Sequence, residues 1–387
     1  VSDQQARRAK FLNYGDFKLF LTNDRSADVL SSVMAVAVGL FMGLIILLIS
    51  NPRYALGGFG TILTGGFHSF KDFGQVLYTA TPIIMTGLSV GFAARTGLFN
   101  IGASGQFIAG AFAAILVGVK CSFLPGPLHW ITALIAAMLA GAFWGFIPGL
   151  LKAYRNVNEV ISCIMMNYIG MYLVNYLIPV MSVYDSSRNQ SMAVAESANL
   201  PKMGMDFIFR GSAANSGFII AIIMAVVIFI ILEKTTLGFE LKACGLGKDA
   251  AKYAGINENQ SVIMSMVIAG ALAGLGGALL YLAGAGRGIN VEDVLAMEGF
   301  NGIPVALLGL NNPIGIIFSG LLIAYLNVGG FIMQLYDFAP QVIEIIIAII
   351  IYFSAFALLF KGFIQSIGKA GKIKNPAPEN KNKGENP

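Results

Sequence analysis

The chain has 387 residues, of which 56% are hydrophobic and 12% charged, with 46 glycines; soluble domains carry about 25% charged residues. A mean hydropathy of +0.74 excludes a soluble enzyme, a secreted scaffold and a disordered partner, and leaves a polytopic membrane protein. The net charge of +5 is scattered rather than clustered, so no nucleic-acid surface is expected.

Residues 1–28 are polar and lack the apolar core of a cleavable signal peptide; they read as a cytoplasmic N-terminal segment. A membrane span needs about 20 mostly apolar residues. Ten are expected: Val29–Ile49, Val76–Ala94, Leu98–Val119, Leu128–Leu151, Glu159–Val180, Phe218–Leu232, Val262–Leu282, Val294–Leu310, Ile314–Leu335 and Val342–Phe360. The sixth and eighth are short, and only the turn Arg95–Thr96–Gly97 separates the second from the third. With both termini inside, the outer side keeps only Arg53, Lys71, Lys120, Arg188, Lys202, Arg210 and Arg287 of the 25 Lys and Arg, as the positive-inside rule asks. The fold class is therefore all-α and polytopic, with about ten transmembrane helices over residues 29–360. The charged, Pro-containing residues 361–387 read as a disordered cytoplasmic tail. The long outer loop 181–217 reads equally as a solvated connector or a partner surface.

Metal and redox chemistry find no support. Cys121, Cys163 and Cys244 have neither metal nor redox spacing, and His68 and His129 read as outer-loop residues without a set of Cys or carboxylate neighbours at ligand spacing. No cofactor is expected. Gly245-x-Gly247-x-x-Ala250 matches part of a dinucleotide fingerprint but follows no strand, and the Gly-Lys pairs lack the spacing of a phosphate-binding loop.

Two places break the hydrophobic pattern at membrane depth: Leu98–Gln106, opening the third span, and Glu298–Pro304 in the eighth. Each joins glycines to amide side chains and holds a Phe-Asn pair, Phe99–Asn100 and Phe300–Asn301. An amide in hydrocarbon must be satisfied by protein or a wet cavity, and interruptions at corresponding places in two halves point to a transport path. The third span would run outward and the eighth inward, which gives the expectation of an inverted 5+5 repeat. Asn100, Ser104, Gln106, Asn167 and Asn301 are the candidate path residues. Asn158 is expected to cap the fifth span, with Glu159 in its first turn. Gly141–Gly145 and Gly270–Gly274 read as helix-packing pairs. In the inner loop 233–258, residues 246–256 could form a short amphipathic helix with Ala250, Tyr253, Ala254 and Ile256 on one face and Gly255 as its cap.

These residues carry a resemblance. Gly97-Leu-Phe-Asn-Ile-Gly-Ala-Ser-Gly-Gln106 resembles the FNIG-x-x-GQ segment of ABC-importer permeases for branched-chain amino acids, simple sugars and nucleosides. Asn158-Glu-Val-Ile with Met-Met-Asn-Tyr168, and Gly299-Phe-Asn-Gly-Ile-Pro-Val-Ala-Leu-Leu-Gly309 with Asn312-Pro313, resemble the nucleoside and simple-sugar branch. Asp249-Ala250-Ala251-x-x-x-Gly255 is similar to the loop by which such permeases engage their ATPase, although the usual downstream I-x-LP is absent. The likeness runs from about Val76 to Phe360. It implies a multi-pass permease in the bacterial cell membrane, without catalytic residues. Its implied partners are an ATP-binding protein, a second permease subunit and a substrate-binding lipoprotein. The implied substrate is a nucleoside, with simple sugars next, and the implied coupling residues are Asp249, Ala250, Ala251, Tyr253, Ala254, Gly255 and Ile256. A self-sufficient secondary transporter is the rival reading; the want of a mid-membrane acid argues against it.

Overall fold

The computed structural model describes residues 24–356 and Gly362. The elements in order are α1 (Asp24–Ser50), α2 (Ala55–Thr64), α3 (Phe70–Arg95), α4 (Ala103–Lys120), α5 (Gly126–Arg155), α6 (Glu159–Val180), β1 (Tyr184–Asp185), β2 (Gln190–Ser191), α7 (Met205–Ile208), α8 (Gly217–Lys234), α9 (Thr236–Leu246), α10 (Lys248–Tyr253), α11 (Glu258–Tyr281), α12 (Met297–Phe300), α13 (Gly302–Leu308), α14 (Pro313–Met333) and α15 (Pro340–Ala355). Residues 44–347 form one compact unit, and the described residues to either side belong to a second. Within that second unit, Gly39 lies against the Ile350 backbone.

Among the described residues eight helices are long and apolar enough to cross a membrane, and Ala55–Phe67 and Gln341–Ile350 are shorter apolar helices. The chain is an all-α polytopic membrane protein. Two expectations need correcting, and one element is new. The third span begins at Ala103 rather than Leu98, because Gly97 (φ +75°) turns the chain out of helix. The eighth segment breaks into α12 and α13; the seven residues of α13 rise about 10 Å, far short of a roughly 30 Å hydrocarbon core. Its glycines explain the break: a side chain on Gly299 or Gly302 would strike the backbone of Ser104 or Thr86. The apolar helix α2 was not foreseen at all. The N-terminal segment 1–23, the end of the tenth segment and the tail lie outside the described residues.

Sequence dictates where helices start. Ser69, Asn158, Thr235, Asn257 and Asn312 each precede a helix, and each side chain accepts a backbone N–H of the first turn. Glycine dictates how they pack. The two glycine pairs face each other: a Cβ on Gly141 would strike the Gly270 carbonyl, one on Gly270 the Gly141 carbonyl, and one on Gly145 the Met266 carbonyl. Gly110 of α4 abuts Gly274 in the same way. Helices α4, α5 and α11 therefore meet backbone to backbone, which replaces the hydrophobic drive that is lacking between helices in lipid.

The two ends of the bundle differ. At one end loop 181–217 is tied down rather than loose: Ser191 N donates to Ile289 O at 2.8 Å, Val291 N to Asn189 O at 3.0 Å, and Leu200 N to Leu282 O at 2.8 Å. In the hairpin here, the Ser187 hydroxyl and amide both donate to Asp185 and hold its carboxyl below the usual carboxylate range. The opposite end carries α9 and α10.

Candidate functional site: a polar seam along the central helix

Helix α3 is the axis of the site and is buried along almost its whole apolar length. Tyr78, Pro82, Thr86 and Ser89 follow at steps of three and four, and so share one face. Ser89 lies six residues before the end of α3, about 9 Å along the axis. The segment 97–102 climbs back into the bundle to that depth and delivers Asn100.

There the amides close on one another. Asn100 Nδ2 donates to Ser89 Oγ at 2.9 Å and to Gln106 Oε1 at 2.8 Å, and Gln106 Nε2 returns a bond to Asn100 Oδ1 at 3.1 Å. Ser89 Oγ in turn donates to Ala269 O of α11, at 2.6 Å. Asn167 reaches across from α6: its Oδ1 accepts the Gly105 N–H at 2.8 Å, and its Nδ2 donates to Ile101 O at 3.0 Å. Gly105 N–H belongs to the first turn of α4 and has no partner within that helix, so Asn167 completes the cap from outside. Asn100, Ser104, Gln106 and Asn167 are all 0–1% exposed.

The second broken segment meets the first. Ser104 Oγ donates to Ala296 O at 2.8 Å, and Thr86 Oγ1 to Glu298 O at 3.1 Å. The half-buried Asn301 stands just beyond, outside the amide cluster. Of the five candidate path residues, then, Asn100 and Gln106 form one amide network with Ser89, Asn167 caps α4 from α6, Ser104 bridges to the other break, and Asn301 stands apart. Thr86 and Ser89 escaped sequence reasoning. Their spacing from Tyr78 was the available signal, masked because α3 is apolar all round.

The α9–α10 end is mechanically joined to this seam. Gly97, in the turn that leads to Asn100, packs against the backbone of Gly245 at the end of α9. Beside it Glu233 pairs with Arg95 at 3.4 Å and Lys242 at 3.3 Å. Helix α10 ends as its sequence requires: Gly255 takes φ +83°, its N–H donates to Lys252 O, and Ile256 N–H donates to Ala251 O, both at 3.0 Å. This is the Schellman arrangement. Asp249, Ala250, Tyr253, Ala254 and Gly255 are exposed, Tyr253 at 95%, whereas Ala251 turns inward and Ile256 is half-buried. Exposed Phe239 and Leu246 lie on the neighbouring α9. No group of three or more metal-ligating side chains occurs among the described residues, and His129 is engaged by Ser197 Oγ at 2.8 Å and Val117 O at 3.0 Å.

Residues 73–355 match the family described as branched-chain amino acid transport system / permease component. The guanosine ABC transporter permease protein NupP of Bacillus subtilis (strain 168) is 38% identical over 348 residues, 90% of this chain and 99% of that protein. The nucleoside ABC transporter permease protein NupB of Lactococcus lactis subsp. cremoris (strain MG1363) is 38% identical over 339 residues, 86% of this chain and 92% of that protein. The glucose ABC transporter permease protein TsgB13 of Haloferax volcanii is 32% identical over 338 residues, covering 86% and 88%. No solved structure matches. With its spanning helices, its broken segments and a match over most of its length, the chain belongs to the branched-chain amino acid transport system permease family.

Proposed function

We propose that this chain forms half of the membrane path of an ATP-driven importer that takes up nucleosides. The observation that carries the substrate is the near full-length similarity to permeases named for guanosine and nucleosides, above that to one named for glucose. The α9–α10 end faces the cytoplasm together with both termini. The exposed face of α10 (Asp249, Ala250, Tyr253, Ala254), closed by Gly255 and Ile256, docks a separate ATP-binding protein. A second permease subunit completes the path, and a binding lipoprotein delivers substrate at the hairpin end.

The chain itself hydrolyses nothing. ATP binding to the partner stabilises one of two path conformations, and the Gly97–Gly245 contact with the Glu233 pairs hands α10 movement to the segment carrying Asn100. In the closed form the amides satisfy one another. An open form would offer Asn100, Ser104, Gln106, Asn167 and Asn301 to a polar solute.

The test is uptake of labelled guanosine by cells expressing the complete transporter. Unlabelled nucleosides should compete and glucose should not, and disabling the ATP-binding subunit should abolish uptake. Competition by glucose alone would move the protein to sugar transport, and uptake without the ATP-binding subunit would overturn the ATP-driven reading.

A further inference from the structure

Four buried side-chain atoms among the described residues lack a hydrogen-bond partner: Tyr78 Oη, Asn199 Oδ1, Ser216 Oγ and Asn311 Oδ1. Three of them share one neighbourhood at the hairpin end. Tyr78 packs with Phe107, Leu280 and Ala283, flanked by Ala213 and Tyr281. The Asn199 side chain borders Gly284, and Ser216 N–H donates to Pro201 O at 3.1 Å. Stretch 199–217 thus carries two unsatisfied groups, and it is joined to the unsatisfied Tyr78 through Ala283–Gly284, which packs on both Tyr78 and Asn199, and through Gly217, which borders Thr81 on α3. A buried polar group left unpaired is costly, so three in adjoining stretches point to a polar ligand.

The tyrosine face is covered, but by a movable group. Arg287 stands 5.7 Å from the Tyr78 ring centroid, within cation–π range, and is itself exposed. Gly284 and Gly286 precede it at φ +72° and +66°, a backbone that glycine can leave without steric penalty. Glu298, at the second broken segment, lies within electrostatic reach of the Tyr78 and Tyr281 hydroxyls, as does Arg287. Pro82, one turn on, has no N–H to offer the Tyr78 carbonyl. Tyr78 therefore joins the mouth of the bundle to the seam that runs on through Thr86 and Ser89.

We propose that Tyr78 is the stacking platform for the substrate's planar base at the hairpin-end mouth of the path, and that Arg287 is the cover the base displaces. The inference rests on the nucleoside reading above. A guanidinium and a nucleobase are both flat and both stack on an aromatic face. Exchanging one for the other moves a side chain that is already exposed and only weakly hydrated, so the swap costs little in either direction and the base is held without being trapped. The Tyr78 and Ser216 hydroxyls and the Asn199 amide then supply donors and acceptors for the base edge and the ribose. A glucose-sized solute has the hydroxyls but lacks the flat face.

The test uses the complete transporter in membranes, with guanosine, uridine and a photoreactive azido-purine nucleoside. In the wild type the azido-purine should label segment 70–95, and guanosine should protect it. Tyr78→Leu should cut guanosine uptake about tenfold and uridine uptake less, because the smaller ring loses less stacking; Tyr78→Phe should stay within about threefold, the loss of one hydrogen bond. Arg287→Ala, on an exposed loop, should increase labelling of segment 70–95, and it carries the test if Tyr78→Leu fails to reach the membrane. Equal loss of both nucleosides in Tyr78→Leu, or labelling of 70–95 unchanged in both variants, overturns the platform. A wild type that takes up no nucleoside overturns the substrate reading instead, so the two failures are distinct.

Discussion

Two groups of buried polar side chains lie on the same face of α3 and are handled in opposite ways. Around Asn100 every amide is paired, Asn100 with Gln106 and Ser89, and Asn167 with the start of α4. Around Tyr78 the hydroxyl has no partner, nor have Ser216 Oγ and Asn199 Oδ1 on the loops nearby. Chemical type does not distinguish the two groups, since both mix hydroxyls with amides. Pairing does: a closed network holds a chain break in place at membrane depth, while an open one is available to a ligand. Deleting a member of the first group should thus harm the fold as well as transport, and deleting a member of the second should harm transport alone.

The largest effect is expected where the scaffold under both groups is forced apart. In Gly274→Leu the new side chain would strike Ala137 O and the Gly141 backbone; overpacking of this kind costs about 1–3 kcal/mol, and more where backbone blocks relaxation. Permease abundance in membranes and elution as a monodisperse peak in detergent should both collapse. Next comes Asn100→Leu, which orphans Gln106 and removes the donor to Ser89, at about 1–3 kcal/mol for each group left unsatisfied. Its thermal midpoint should fall by several degrees. Adding Gln106→Leu should lower it by less than the two single changes together, because the second removes an already broken pair. The smallest effect should come from Tyr78→Phe, which loses no bond and should stay within about 0.5 kcal/mol of the parent. A Tyr78→Phe midpoint as low as that of Asn100→Leu would erase the contrast.

Much of this architecture was legible in the sequence because hydropathy and length translate directly into spans. Asn158 before an apolar run and Gly255 after a short helix also behaved as their capping chemistry demands. Glycines and amides flagged both breaks, at Leu98–Gln106 and Glu298–Pro304, yet not their form: what Gly299 packs on is the Ser104 backbone, 195 residues earlier in the chain. Partner choice is equally non-local. The Gly141 and Gly270 pairs could be read as packing motifs, but not as packing on each other. Tyr78 was invisible for another reason: on a helix buried on every side, periodicity singles out no face. Helix α2 escaped because its 10 residues fall below the length of a span.

The claim that this permease is driven from its α9–α10 end has one direct test. Ala254 lies exposed beside Tyr253, outside any spanning helix, so Ala254→Glu leaves the bundle untouched and places a carboxylate where the ATP-binding partner would dock; an unpaired charge buried in an interface costs several kcal/mol. The measurement is co-purification of the ATP-binding subunit together with labelled-guanosine uptake, both normalised to permease in the membrane. The account predicts normal abundance with both signals sharply reduced, and no change for Lys383→Glu. Full co-purification and full uptake in Ala254→Glu at normal abundance would contradict it.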